Sequence, residues 1–260
     1  LRTLWHTRQV IAQLGRRQVV SRHRGSMLGV LWTVLNPLLL LVVYTLFFTV
    51  FRPVASAVND RVAFVLSLFT GMIVFGVFSE TVSKAATTIT GNPNYVKKVV
   101  FPLETLPAAD LWASLVHAAV NVGVLLAATV TLRGSVPWTA LLLPITLPPL
   151  LLLTLGIAWI VASLGVYVRD VGTSIGVVLT ALMFLTPVFY SVDDVPSEPA
   201  RAALRLNPLT DIVETTRSVL LRGDLPDWGR LAFAYVLAAL IAQIGWAWFR
   251  ATKRGFADVL

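Results

Sequence analysis

Residues 22–32 of this chain read RHRGSMLGVLW and divide the sequence between two environments. The basic residues before this stretch belong in water or at a lipid headgroup surface, whereas residues 30–51 contain no charge. An uncharged run of about 20 residues is long enough to cross a ~30 Å hydrocarbon core as a helix. It is also longer than the apolar part of a signal peptide, so it predicts a membrane span. The residues that mark this predicted point of membrane entry are Arg22, Arg24, Gly25, Ser26 and Trp32.

The composition is that of an integral membrane protein. Only 13% of the 260 residues are charged, against roughly a quarter in soluble domains. We interpret the net charge of +8 as a Lys/Arg bias of cytoplasmic loops rather than as nucleic-acid binding. The chain has no cysteine and only three histidines, which excludes disulfides and argues against a metal site. It has no phosphate-binding loop, zinc-protease motif or nucleophile elbow.

Six apolar segments predict an all-α integral membrane protein with six transmembrane helices. They cover about residues 29–51, 62–82, 106–132, part of 136–168, 171–192 and 231–249. We expect Pro144, Pro148 and Pro149 to kink or delay the fourth segment. Lys and Arg are more frequent in residues 1–28, 84–105, 169–170 and 250–260 than in the alternate loops. This bias predicts that both termini are cytoplasmic.

Two segments outside the spans have helical patterns. In residues 1–28, the apolar residues Leu4, Val10, Ile11 and Leu14 oppose Arg16 and Arg17. This pattern predicts an amphipathic interface helix, with a plain basic topology anchor as the alternative. In residues 193–228, Asn207-Pro208 is typical of a helix start. Two short helices are expected there, either re-entrant between spans five and six or resting on the membrane surface.

Polar residues inside the spans form two groups. Asp110, Ser114, His117 and Asn121 are spaced to share one face of the third span. They indicate either hydrogen bonds between helices or part of a polar pathway or subunit seam. Glu80 and Lys84 are expected to form an ion pair one helical turn apart.

Aromatic residues cluster in two spans and in one loop. Those of the first and fifth spans fit an interfacial belt better than sugar stacking when the pattern is considered alone; they are Tyr44, Phe47, Phe48, Phe51, Phe184, Phe189 and Tyr190. In the loop over residues 84–105, Asn92 and Pro93 predict a short helix. The side chains after this start suggest a docking surface for a partner; they are Tyr95, Lys97, Lys98 and Phe101.

Several motifs occur in a fixed order: RHRGS at 22–26, LGVLW at 28–32, NYVKKVVFP at 94–102, LGVYVRD at 164–170, NPLT at 207–210 and KRGFADVL at 253–260. With Asn36-Pro37, they make the chain resemble, end to end, the membrane-spanning permease subunit of ABC-2-type O-antigen polysaccharide exporters (Wzm-like permeases). His23 departs from that pattern, in which Tyr is more frequent.

The resemblance implies a single ABC-2-type transmembrane domain over residues 1–260, in the bacterial inner membrane. It implies a homodimeric channel for a lipid-linked glycan, with no nucleic acid bound and no catalytic residue. ATP and Mg²⁺ would bind two copies of a cytoplasmic ABC ATPase subunit, and this chain would hold no cofactor or metal. Residues 193–228 resemble outer gate helices, and the aromatic residues of spans one and five become candidate glycan contacts. The residues implied in ATPase coupling are Asn92, Tyr95, Lys97, Lys98, Phe101, Arg169 and Asp170.

Two groups of alternatives remain open. Related ABC-2 exporters carry teichoic acid, capsule or small molecules, and sequence features separate them poorly from O-antigen exporters. A membrane enzyme acting on polyprenyl-linked sugars would have a similar apolar content. It would, however, need charged residues clustered at one membrane face for phosphate chemistry.

Overall fold

A computed structural model describes residues 7–22, 31–51, 58–97 and 101–260, and all regular structure in these ranges is helical. The all-α prediction is therefore confirmed. The α-helices are α1 (Arg8–Arg22), α2 (Trp32–Phe51), α3 (Val58–Thr88), α4 (Pro93–Lys97), α5 (Thr105–Arg133), α6 (Leu143–Thr146), α7 (Pro148–Tyr167), α8 (Val171–Phe184), α9 (Glu198–Arg205), α10 (Pro208–Arg217), α11 (Trp228–Thr252) and α12 (Phe256–Val259).

Four helical segments in the described part of the chain are long and apolar enough to cross a membrane. They are Val62–Thr88, Thr105–Arg133, Trp138–Tyr167 and Trp228–Val259. Shorter apolar helical stretches cover Val34–Val43 within α2 and Val171–Phe184. All six predicted segments thus contain apolar helix in the predicted order, and the number of six spans stays a prediction.

The central helices are α3 and α7. Their apolar segments are 61% and 67% buried, whereas those of α5 and α11 are 11% and 28% buried. Trp159 of α7 is 1% exposed, and its indole nitrogen donates to the carbonyl of Glu104 at 3.2 Å. The outer helices α5 and α11 therefore leave most of their apolar surface outside the core of this chain.

Prolines set two helix boundaries. The chain between Trp138 and Thr146 forms a 3₁₀ turn and the short α6, and the long helix α7 starts only at Pro148, as the prolines predict. The fifth predicted span was wrong at its end, because α8 stops at Phe184 and not at residue 192. Pro187 explains the difference, since proline disfavours helical backbone at the residue before it. With 14 residues, α8 is about 21 Å long.

The predicted loop over residues 84–105 begins too early. Helix α3 continues through Lys84 to Thr88, because no helix-breaking residue occurs before Gly91. The amide of Asn92 donates to the Thr88 carbonyl at 2.9 Å, so this side chain closes the end of α3. The short helix predicted to start at Pro93 is present as α4.

One end of the bundle, which we call the α4 end, carries α1, α4 and α12. Helix α1 packs along the start of α5, where Gln18 donates to Asp110 at 2.8 Å. Helix α12 contacts both α4 and α7. The segments that the charge bias assigned to one membrane side therefore share one end of the protein.

The opposite end, which we call the α10 end, carries α9 and α10. The predicted cap of α10 is confirmed, since the Asn207 side chain accepts from the amide of Leu209 at 3.0 Å. Helix α10 packs against α3 and α11 and buries Ile212 and Val213. By contrast, α9 has no buried residue. Helix α10 is therefore packed into the helical bundle, whereas α9 lies on the surface of the bundle.

Candidate functional site

A cavity of about 190 Å³ with both polar and apolar walls lies between α2, α3 and α5. Four of its lining residues carry amide, carboxylate or imidazole groups, namely Asn36, Glu80, His117 and Asn121. The remaining lining residues are aromatic or aliphatic, namely Trp32, Pro37, Leu40, Phe69, Met72 and Ile73. Trp32, which the sequence marked only as a point of membrane entry, thus lines this cavity.

The carboxylate of Glu80 joins two helices at this cavity. It accepts from Lys84 at 2.9 Å, which confirms the predicted ion pair within α3. It also lies 3.0 Å from Nδ1 of His117 on α5. Because a carboxylate accepts, the hydrogen of the ring lies on Nδ1 in this contact. The contact between Glu80 and His117 was not predicted, since it depends on how α3 and α5 pack.

The polar stripe of α5 divides into two halves. Asp110 and Ser114 are each 2% exposed. Asp110 binds Gln18 of α1, and the Ser114 hydroxyl donates to the Asp110 carbonyl at 3.1 Å. His117 and Asn121 instead line the cavity. The first half of the stripe is therefore buried between helices, whereas the second half both contacts α3 and faces the cavity.

The residues expected to couple to an ATPase lie at the α4 end. The rings of Tyr95 and Phe101 stack with centroids 4.4 Å apart, and both pack against the buried core. Lys97 is exposed. The aromatic pair thus holds α4 in place, and the basic residue of α4 is accessible to a partner.

Helix α12 supports the same surface. Phe256 is 0% exposed and packs edge-on against Tyr167 and Phe249, with centroids 5.9 and 5.5 Å apart. The exposed Arg169 and Asp170 lie two and three residues after Tyr167, and Arg169 lines a cleft together with Val259 and Leu260. The two predicted coupling segments are therefore neighbours of the same small helix.

The aromatic residues at the end of α8 and in the turn that follows lie together near the α10 end. Phe184 is 61% exposed, and its ring centroid is 5.8 Å from that of Phe189. The Tyr190 hydroxyl donates to the Phe184 carbonyl at 3.0 Å. Three of the seven proposed glycan contacts thus form one cluster.

Several predicted site residues lie outside what the structure describes. Lys98, Arg24, Gly25 and Ser26 are outside the described residues. For another five residues only the helical backbone is described, and nothing follows about their side chains; they are Arg22, Tyr44, Phe47, Phe48 and Phe51.

Sequence reasoning missed Arg217, which joins three parts of the α10 end. Its guanidinium donates to the carbonyls of Ser67 at 3.0 Å, Val188 at 2.7 Å and Tyr190 at 3.0 Å. It also donates to the carboxylate of Glu214 at 2.9 Å. Burial lowers the pKa of Arg217, whereas the neighbouring Glu214 carboxylate acts to raise it. The available signal was an arginine inside an apolar stretch with a glutamate three residues earlier.

The fold, with several apolar helices long enough to cross a membrane, is that of a polytopic α-helical membrane protein. Residues 9–221 match the ABC-2 type transporter family. That is more than half of the chain, so the chain belongs to this family.

Three relatives of this chain are named as polysaccharide export or transport proteins. The O-antigen export system permease protein RfbA of Myxococcus xanthus is 29% identical over 99% of this chain and 98% of that protein. The protein of the same name from Klebsiella pneumoniae is 24% identical over 96% and 95%. The polysialic acid transport protein KpsM of Escherichia coli is 24% identical over 90% of each chain.

Proposed function

We propose that this chain is the channel-forming permease of an ATP-driven exporter that moves a lipid-linked polysaccharide of the O-antigen type across the bacterial inner membrane. The observation that carries the proposal is the similarity to an O-antigen export permease over 99% of the chain. Within the proposal, the α4 end is cytoplasmic and both termini lie there. The chain itself performs no hydrolysis, because ATP and Mg²⁺ bind a separate ATPase subunit.

The channel forms between two copies of the chain. Exposed apolar side chains along α2 and α8 support this arrangement, because a membrane protein can bury such faces against a second copy. Those of α2 include Leu39, Val42 and Val43, which are 52%, 50% and 56% exposed. Those of α8 include Val177 and Val178, which are 73% and 57% exposed.

Two copies of the ATPase dock at the α4 end, and their closure on ATP moves α4. The stacked Tyr95 and Phe101 connect α4 to the core, and α12 connects it to the ends of α7 and α11. A push on α4 therefore moves packed helices as rigid bodies. In this mechanism α10 is a re-entrant gate helix at the periplasmic end.

Reversing charge at the α4 end tests the docking surface. The double substitution Lys97→Glu and Arg169→Glu is expected to lower the amount of ATPase subunit recovered with the purified chain at least about tenfold. The reason is that a surface that binds basic residues carries acidic groups, which the two introduced glutamates would face. Like charges that face each other across an interface oppose binding by several kcal/mol. The measurement is the ratio of the two subunits after gentle detergent extraction from native membranes.

The matched control is Arg205→Glu, since Arg205 is exposed on α9 at the α10 end. Its recovery of ATPase should equal that of the unmodified chain. If the double variant also recovers as much ATPase as the unmodified chain, the ATPase does not dock at this surface. Recovery of a folded, dimeric chain that never carries an ATPase would favour a membrane enzyme instead.

A capsule exporter is the second candidate, and the similarity to the polysialic acid transport protein KpsM favours it. Deleting the gene in the native cell distinguishes the two. Loss of polysaccharide attached to lipopolysaccharide supports O-antigen export, and loss of the capsule alone supports the second candidate.

A further inference from the structure

The cavity between α2, α3 and α5 has the chemistry of a carbohydrate site. Asn36 and Asn121 each offer an amide that donates and accepts, and Glu80 offers a carboxylate that accepts. These groups suit hydroxyls, which both donate and accept. The partly buried ring of Trp32 lines the same space and offers a flat apolar face for the apolar face of a sugar ring.

We propose that this cavity binds one sugar ring of the exported glycan as the glycan passes along the α4 half of the protein. The inference deepens the proposed function and rests on it. The proposed site is separate from the aromatic cluster of the fifth span, since Phe184, Phe189 and Tyr190 are not among the described residues that line it.

The size of the cavity fits a six-membered ring. Its volume of about 190 Å³ exceeds that of an engineered cavity of about 150 Å³ that binds benzene. One sugar ring can therefore enter it.

The polar groups of the cavity favour a sugar over a lipid tail. The four polar side chains make the space a poor site for a lipid tail, because their hydrogen bonds to water would be lost without replacement. Lys84 and His117 hold the Glu80 carboxylate at 2.9 and 3.0 Å, which fixes its position for a hydroxyl.

Photo-crosslinking in exporting membranes tests contact directly. A photoreactive amino acid replaces Met72, which lines the cavity, in a chain that is otherwise unchanged. The control probe replaces Leu240, which is 56% exposed on α11 and does not line the cavity. Native cells are supplied with radiolabelled sugar precursors, so that the probe is the cell's own labelled lipid-linked polysaccharide.

We expect labelled glycan on the chain with the probe at Met72 and none on the chain with the probe at Leu240. Export by an Asn121→Leu chain should fall about three- to tenfold, the loss of one or two hydrogen bonds to a bound sugar. The matched control is Thr129→Val on the same helix, because the Thr129 hydroxyl donates to the Leu125 carbonyl within α5. Its export should remain unchanged.

The outcomes separate this inference from the proposed function. Normal export with no glycan on the Met72 probe, or with lipid tails there instead, would overturn the sugar site and leave the exporter intact. Normal export by the Asn121→Leu chain would also overturn it. If the unmodified chain exports no polysaccharide in these membranes, both the site and the proposed function fail.

Discussion

Replacing Arg217 with methionine is expected to lower the stability of the folded chain by about 3–5 kcal/mol, because three carbonyls lose their donor at a cost of roughly 1–3 kcal/mol each. The Arg217 side chain is 3% exposed, so its hydrogen bonds are made inside the protein. Methionine would leave the carboxylate of Glu214 without this partner. It would also leave the three carbonyls that accept from Arg217 without this donor.

Those carbonyls belong to different parts of the fold, which is why the effect should be large. Ser67 is in α3, whereas Val188 and Tyr190 are in the turn after α8. One side chain at the end of α10 thus connects α3 to that turn. The thermal unfolding midpoint of the detergent-solubilised chain, followed by tryptophan fluorescence, measures the loss.

Arg222 provides a closely matched control. It binds the other oxygen of Glu214 at 2.8 Å, but its side chain is 44% exposed. Arg222→Met should therefore change stability by no more than about 1 kcal/mol. Arg217→Lys should fall between the two, because lysine keeps the charge but not the fork of donors. If Arg217→Met unfolds at the same temperature as Arg222→Met, the guanidinium does not hold this end together.

The parts of the fold that the sequence predicts are those that depend on local chemistry. Uncharged runs locate the apolar helices, Asn207-Pro208 locates the start of α10, and the i,i+4 spacing locates the pair of Glu80 and Lys84. Each of these signals operates within one or two helical turns. The end of α8 was also predictable, since Pro187 marks it, but the apolar residues that follow the proline obscured that signal.

The parts that the sequence did not predict depend on packing between distant segments. Glu80 and His117 are 37 residues apart, and Arg217 and Ser67 are 150 residues apart. Periodicity indicates that a side chain faces protein, but it does not identify the helix it meets. For the same reason, the spacing of the residues from Asp110 to Asn121 predicted that they share one face of α5. It did not predict which of them contact another helix and which line a cavity.

Replacing Gly245 with leucine is expected to separate α7 from α11, two helices that pack closely where Gly156 and Gly245 meet. A Cβ atom at Gly245 would lie 2.1 Å from the carbonyl oxygen of Gly156, and one at Gly156 would lie 2.7 Å from that of Ile241. The obstacle is backbone on both sides, so no side chain can rotate away. Overpacking a core usually costs about 1–3 kcal/mol, and this site should reach or exceed the upper value because a whole helix must shift.

Gly123→Leu is the control for the same substitution on an apolar helix. A Cβ atom at Gly123 of α5 meets nothing within 4 Å, and leucine favours helix over glycine by up to about 1 kcal/mol. The Gly123 variant should therefore unfold at or above the temperature of the unmodified chain, and the Gly245 variant well below it.

The consequence of Gly245→Leu should extend to the α4 end. Phe249 lies one turn beyond Gly245 and packs against Phe256 of α12, which is a neighbour of α4. A shift of α11 therefore also shifts the support of the proposed docking surface. We expect the fraction of Gly245→Leu protein that remains folded at low temperature to recover less ATPase than the unmodified chain. Normal unfolding and normal ATPase recovery together would show that α7 and α11 adjust without moving α12.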